Sequence, residues 1–270
     1  MTAGPGRVQH ALRAMRAGLS PEPALRLSTG GLLLMATAGK DPLRADDLTG
    51  AARAQLHILR DRGIIGNAGT PTEAAAPAVR AMAAPNVRLT ADIGVATGRA
   101  TWSAWLGAER AVVAVRTDPA GDDLAVFIVP PGWAPVMAVR WLGVGPRPQP
   151  PAGGAVALPA DLLRQRLAER ATPPPPEAAR ELRTLWSSPL RLWGVRAEPG
   201  HFGMLILDAG RAGYWQLTDA PADGSGAGEQ ERVTLTPLTA RDVWRRVVHS
   251  AVSADVYRRK HAGAASGRRG

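Results

Sequence analysis

The chain has 270 residues, a formal net charge of +10 and no cysteine, which excludes disulfides, thiolate metal sites and cysteine nucleophiles. Hydrophobic residues make up 45% of it and aromatics only 4%, with tryptophan the commonest aromatic, so the core is expected to be Ala, Val and Leu with a few indoles as its large pieces. No run approaches the roughly 18 apolar residues of a membrane span. The apolar block Gly31–Ala38 is too short and too far from Met1 to read as a signal peptide, so a cytoplasmic location is expected.

Taken in order, Val8–Ala17 reads as a short helix and residues 23–38 as an extended hairpin turning at Gly30-Gly31. Ala45–Arg62 reads as a helix with Leu48, Ala52, Leu56 and Leu59 in one stripe, acids in its first turn and arginines in its last. Thr70-Pro71-Thr72-Glu73 fits a capping box, although Pro77 would kink the helix after it or delay its start. Val87–Val95 alternates cleanly and reads as a strand. Arg99–Leu106, Ala111–Val115 and Leu124–Val129 follow as three more, the last two joined through a loop rich in Pro, Asp and Gly, and together the four suggest an antiparallel meander. Gly132–Trp141 leads out of the sheet as a helix.

Gly145–Val156 is a Pro/Gly-rich connector. Beyond it Asp161–Arg170 and Ala178–Trp186 read as helices. Leu190–Ala197, His201–Asp208, Gly213–Thr218 and Arg232–Pro237 read as four strands, with Asp219–Glu231 an acidic, Gly-rich and mobile loop. Thr239-Ala240-Arg241-Asp242 fits a second capping box opening a helix whose Val243, Trp244, Val247, Val248, Ala251 and Val252 form a wide apolar face. After Tyr257 the chain ends in RRKHAGAASGRRG, expected to be a solvated basic tail.

The two halves share one plan: helix, helix, proline, four strands, helix. Ala209–Asp219 lines up with Ala108–Asp118, and Ser188-Pro189-Leu190-Arg191-Leu192 with Pro85-Asn86-Val87-Arg88-Leu89. The expected organisation is an N-terminal segment (1–42), a first half (43–144), a connector (145–156), a second half (157–257) and the tail (258–270). Joining the halves edge to edge across a pseudo-two-fold would cover strand edges that would otherwise be open.

No catalytic constellation is present. The five histidines lack metal-binding spacing, Ser225 lacks a nucleophile elbow, and Gly143-Val144-Gly145 runs into prolines instead of a helix. No enzyme activity, metal or cofactor is expected. A binding scaffold remains, with nucleic-acid contact through the Arg-rich tail as an alternative reading.

Four features, in this order, carry a resemblance: Leu56–Ile65 before Pro85–Leu89; Ala108–Val115 before a charged turn; the Pro-rich connector before Ala155–Leu163; and the late strand Gly213–Asp219 before an acidic loop, Val233–Pro237 and a closing helix. Across roughly residues 40–250 the chain resembles the EspG family of type VII (ESX) secretion-associated proteins. The resemblance implies an α+β fold, a quasi-two-fold duplicated domain with a central antiparallel β-sheet and flanking helical bundles. It implies a non-enzymatic cytoplasmic chaperone that holds the helical tip of PE/PPE-like or related helical-hairpin substrates soluble until the ESX machinery takes them. Candidate client contacts are Asp118, Gly121, Asp122 and Asp123 in the first-half loop, and Trp186, Trp244 and Val248 in the C-terminal bundle. Charge reversal in that loop is expected to weaken client binding with little loss of stability.

Overall fold

A computed structural model describes residues 24–95, 98–116, 121–148, 154–175, 180–219 and 231–266. The helix expected over Val8–Ala17, Asp118, the middle of the connector, most of the acidic loop and the last four residues lie outside these. The chain opens with a short strand, β1 (Leu25–Leu27), and Ser28 then caps helix α1 (Thr29–Ala38), its hydroxyl accepting from the Gly31 N–H at 3.1 Å. This corrects the hairpin reading of residues 23–38. Both glycines sit in the first turn of this helix, and Gly31 is closely packed: a Cβ there would stand 2.3 Å from Gln55 Oε1 and 3.1 Å from Leu27 Cβ.

After a 3₁₀ turn at Ala45–Asp47 comes α2 (Gly50–Asp61), which buries Leu56 and Leu59 of the expected stripe. Helix α3 (Ala76–Ala83) begins with Pro77 in its first turn, where the missing N–H is harmless, so the proline delays the helix instead of kinking it. The meander is present as β2 (Val87–Val95), β3 (Gly98–Leu106), β4 (Ala111–Arg116) and β5 (Leu124–Val129), followed by α4 (Trp133–Trp141). The connector ends in a strand the sequence did not announce, β6 (Val156–Pro159). Then come α5 (Ala160–Ala168), α6 (Arg180–Ser187), β7 (Arg191–Glu198), β8 (Phe202–Asp208), β9 (Tyr214–Asp219), β10 (Arg232–Leu238) and α7 (Ala240–Ser266).

Among the described residues the strands form one antiparallel sheet in the order β1-β5-β4-β3-β2-β7-β8-β9-β10-β6. Each side of the sheet is a four-stranded meander with a short edge strand, β1 from the N-terminal segment on one side and β6 on the other, and the halves join where β2 pairs with β7. If Pro85 is the counterpart of Pro189, then Ala91 is the counterpart of Val195, and those two residues face each other across the seam. The pseudo-dyad therefore passes between them.

One face of the sheet lies under α4 and α7. Its core runs unbroken through both halves and includes Leu89, Trp102, Val113, Trp193, Ile206 and Val247. On the opposite face the helices gather at the two ends. Helices α1 to α3 cover the β1-β5-β4 end around Leu27, Met35, Leu56 and Val126. Helices α5 and α6 cover the β6-β10-β9 end around Leu158, Leu185, Trp215 and Leu235. Between these bundles the central strands show a mostly polar surface, with Arg88, Arg196 and Glu198 exposed and Thr90 and Ser103 half-buried.

The connector is tied to the second half. The Tyr214 hydroxyl donates to the Gly145 carbonyl and accepts from the Gly145 N–H, both at 3.1 Å. The Arg147 guanidinium lies 5.5 Å from the Tyr214 ring centre and pairs with the buried Asp208 at 3.3 Å. Asp208 also accepts from the Gly210 N–H at 2.9 Å, so both charges of the pair are held in fixed geometry.

Helix α7 departs from expectation twice. It continues through Ser266, across residues read as a solvated tail. The extension is supported locally: Asp255 pairs with Arg258 at 3.0 Å and Arg259 at 2.6 Å one turn on, and the His261 ring stacks on Tyr257 with centres 4.0 Å apart. Burial opposes the Asp255 charge, but hydrogen bonds from Arg258 and Arg259 hold its carboxyl below the usual range. The expected single apolar face is also divided. Val243, Val247, Ala251 and Ala254 are buried, whereas Trp244, Val252 and Val256 are exposed.

Candidate functional site

The outward residues of α7 recur every four positions as Trp244, Val248, Val252 and Val256, which places them in one row along the helix. Trp244 is 43% exposed, Val252 54% and Val256 45%, and Val248 is half-buried. A second row beside it carries Arg241, Arg245 and His249, all exposed. The start of the helix is fixed by a capping box. The Asp242 N–H donates to Thr239 Oγ1 at 3.1 Å, and Thr239 N–H and Oγ1 donate to Asp242 Oδ2 at 3.1 and 2.6 Å. These bonds, that from the Thr239 hydroxyl foremost, lower the Asp242 pKa, so the carboxylate stays ionised at the positive end of the helix dipole.

Where α7 crosses the sheet, it and strands β8 and β9 enclose an open groove of about 650 Å³. Met204 and Gln216 form the floor, Trp244, Val248 and Val252 the wall, and Arg245, Arg246 and His249 the basic rim. The Arg246 guanidinium donates to the Gln216 side-chain oxygen and ties wall to floor.

The groove lies where the duplication breaks down. In the alignment of Ala209–Asp219 with Ala108–Asp118, Gln216 takes the place of Val115. Val115 pairs with Ala125, and both are buried in the main core. Gln216 pairs with Thr236, and both are only half-buried. The first half fills this position with apolar side chains, and the second leaves it polar and open under an apolar helix row. A large exposed apolar row bordered by charge is the usual mark of a binding surface.

The candidate contacts are thereby separated. Trp244 and Val248 come together in the groove. Trp186 does not: it is 3% exposed, its indole N–H donates to the Thr172 carbonyl at 3.0 Å, and it belongs to the α5–α6 core. Periodicity alone cannot say which face of a helix a second helix covers, and Trp186 is on the covered one. The first-half loop is remote from α7 in the sheet order and does structural work. Asp122 accepts from the main-chain N–H of Thr29 at 3.2 Å and from its hydroxyl, so the β4–β5 loop is fastened to the start of α1. The Gly121 carbonyl accepts from Arg116 at 2.5 Å, and Asp123 is exposed beside them. Stability is therefore expected to suffer when the Asp122 charge is reversed, contrary to the expectation of little loss. Val252 was legible as part of the same apolar face, whereas Met204 and Gln216 had no distinct signal as site residues, because their proximity to it arises from the crossing of α7 over the strands.

A second hollow of about 630 Å³ lies beside the central seam, where β2 begins and β7 ends, lined by Arg88, Trp105, Glu198, His201 and Arg258 among others. It mixes both charge signs and holds no nucleophile paired with a base. Among the described residues, no group of three or more His, Cys, Asp or Glu side chains is placed to hold a metal ion, and no helix is long and apolar enough to cross a membrane.

No family model matches the chain, and no curated protein matches it. A solved structure does: the Mycobacterium tuberculosis type VII secretion system chaperone EspG5, in complex with a PE25–PPE41 dimer. The likeness has a TM-score of 0.50 and covers 85% of this chain and 96% of that one, at 14% sequence identity. At that identity it establishes a shared α+β architecture and nothing finer.

Proposed function

We propose that this protein is a non-enzymatic cytoplasmic secretion chaperone that binds the helical tip of a PE/PPE-like, or related helical-hairpin, type VII substrate and keeps it soluble for delivery to the ESX machinery. The observation that carries the reading is the exposed Trp244-Val248-Val252-Val256 row over a half-open pair of strands, on a fold like that of a protein that binds a PE–PPE dimer. The physical action is masking. Covering apolar side chains contributes up to about 1.5–3 kcal/mol for each one fully buried, and the same area is kept from self-association of the client. The polar surface between the end bundles offers less of this, since Leu205 is the one large apolar side chain exposed there among the described residues. Nucleic-acid contact through the C-terminal basic residues has weaker support, because Asp255 already engages both Arg258 and Arg259.

The test is co-expression with a PE/PPE-like pair followed by size-exclusion chromatography. A three-component complex is expected, and a Trp244→Ala/Val252→Asp variant that folds normally by circular dichroism is expected to lose it. A complex that survives this variant would place the site elsewhere; absence of any complex with the native chain would remove the reading.

A further inference from the structure

We propose that the groove selects by charge as well as by apolar contact: its occupant is an amphipathic helix whose apolar ridge is bordered by carboxylates. This rests on the reading of the groove as a client site and names the chemistry of what it takes. Two parallel rows on α7 carry the argument, one apolar (Trp244, Val248, Val252, Val256) and one basic (Arg241, Arg245, His249), both with a four-residue repeat. A four-residue row on one helix is the ridge that packs between the corresponding rows of another, so the partner surface that matches it is a helix. Successive residues of each row stand about 6 Å apart along the axis, so a partner helix with acids beside its ridge would meet the basic row turn by turn.

The guanidiniums of Arg245 and Arg246 line the groove, and Asp242, the one carboxylate among its described lining residues, already accepts from the Thr239 hydroxyl. A second copy of this chain is the wrong occupant, since it would set one such basic rim, on a chain of net charge +10, against another. A helix of opposite rim charge gains at each turn and is drawn in at long range.

The test uses three fluorescein-labelled 20-residue synthetic helices with the same leucine ridge and with flanks of Glu, Gln or Lys, titrated against the full chain by anisotropy. In 50 mM salt the Glu peptide is expected to bind about tenfold tighter than the Gln peptide, from two or three rim pairs, and the Lys peptide most weakly. The Glu advantage is expected to shrink in 500 mM salt. Arg241→Glu/Arg245→Glu is expected to invert the order, and Arg241→Gln/Arg245→Gln, which introduces no repulsion, to level it. Trp244→Ala/Val252→Ala is expected to weaken all three peptides. Equal affinities for the Glu and Gln peptides, or an order unmoved by the charge reversal, would overturn the proposal. So would sedimentation with phosphatidylserine vesicles that is lost in Trp244→Ala/Val252→Ala, which would make the face a lipid surface. If a PE/PPE-like complex forms but ignores the reversal, the charge inference falls and the chaperone reading stands. If the peptide order holds but no such pair binds, the reverse is true.

Discussion

Arg166 is 4% exposed, and its guanidinium donates three hydrogen bonds to main-chain carbonyls: two to Trp186 at 3.1 and 2.8 Å and one to Ser188 at 2.9 Å. These oxygens close the C-terminal end of α6, where the helix dipole is negative, so the buried cation is compensated by carbonyls. Burial, and then the nearby Arg170 charge, still lower its pKa from the ordinary arginine value. Replacing Arg166 with Met keeps most of the apolar stem but leaves two buried carbonyls without these donors, at about 1–3 kcal/mol each. Against that stands relief from holding a cation out of water, which is worth several kcal/mol when its compensation is poor. Three well-formed bonds at a helix C-terminus are good compensation, so the net loss for Arg166→Met is expected to be about 1–3 kcal/mol. Arg166→Ala, which adds a cavity, should lose about 3–5 kcal/mol. Urea unfolding monitored by tryptophan fluorescence reads both as a fall in midpoint at unchanged slope. An Arg166→Met protein as stable as the native one would show that desolvation dominates and refute the reasoning.

Two further outcomes are expected. Thr239→Ala removes half of the capping box of α7 and should lower stability by about 1 kcal/mol, read as a shift in urea midpoint, with partner binding kept if the row on α7 stays in place. Asp122 has its pKa lowered, first by the Thr29 hydroxyl bond and then by the Thr29 N–H, so its contribution is present above the ordinary carboxylate pKa and is lost as pH falls through the lower folded value. The midpoint difference between the native chain and Asp122→Asn should therefore be full at pH 7 and shrink below about pH 4; a difference that grows on acidification would reverse the assignment.

What could be read from the sequence follows the strength of the local signal. Both meanders announced themselves through β-branched runs and turn residues. That the halves join edge to edge followed from the duplication, because two open edges of like kind have reason to pair; which edges meet, β2 and β7, is seen only in the sheet. The edge strands β1 and β6 escaped because three or four residues carry no period, and each exists only through its neighbour, β5 or β10. Helix α1 was hidden by Gly30-Gly31, although Ser28 before an apolar run was the cap that could have exposed it. The groove was half legible. Trp244 and Val248 were singled out as apolar, but that their row faces outward depends on Val243 and Val247 facing the sheet, a choice made by packing.

The position of the seam also bears on how the protein is made. Strand β2 and its partner β7 are separated by roughly a hundred residues of chain, so at a synthesis rate of about 5–20 residues per second the first half waits some 5–20 s with β2 as an unpaired edge. During that wait the exposed backbone of β2 is a template for any strand nearby. The polar residues on its uncovered face, Arg88, Thr90 and Asp92, then act as guards on the nascent chain, making intermolecular pairing less favourable until the second half is released to take the edge.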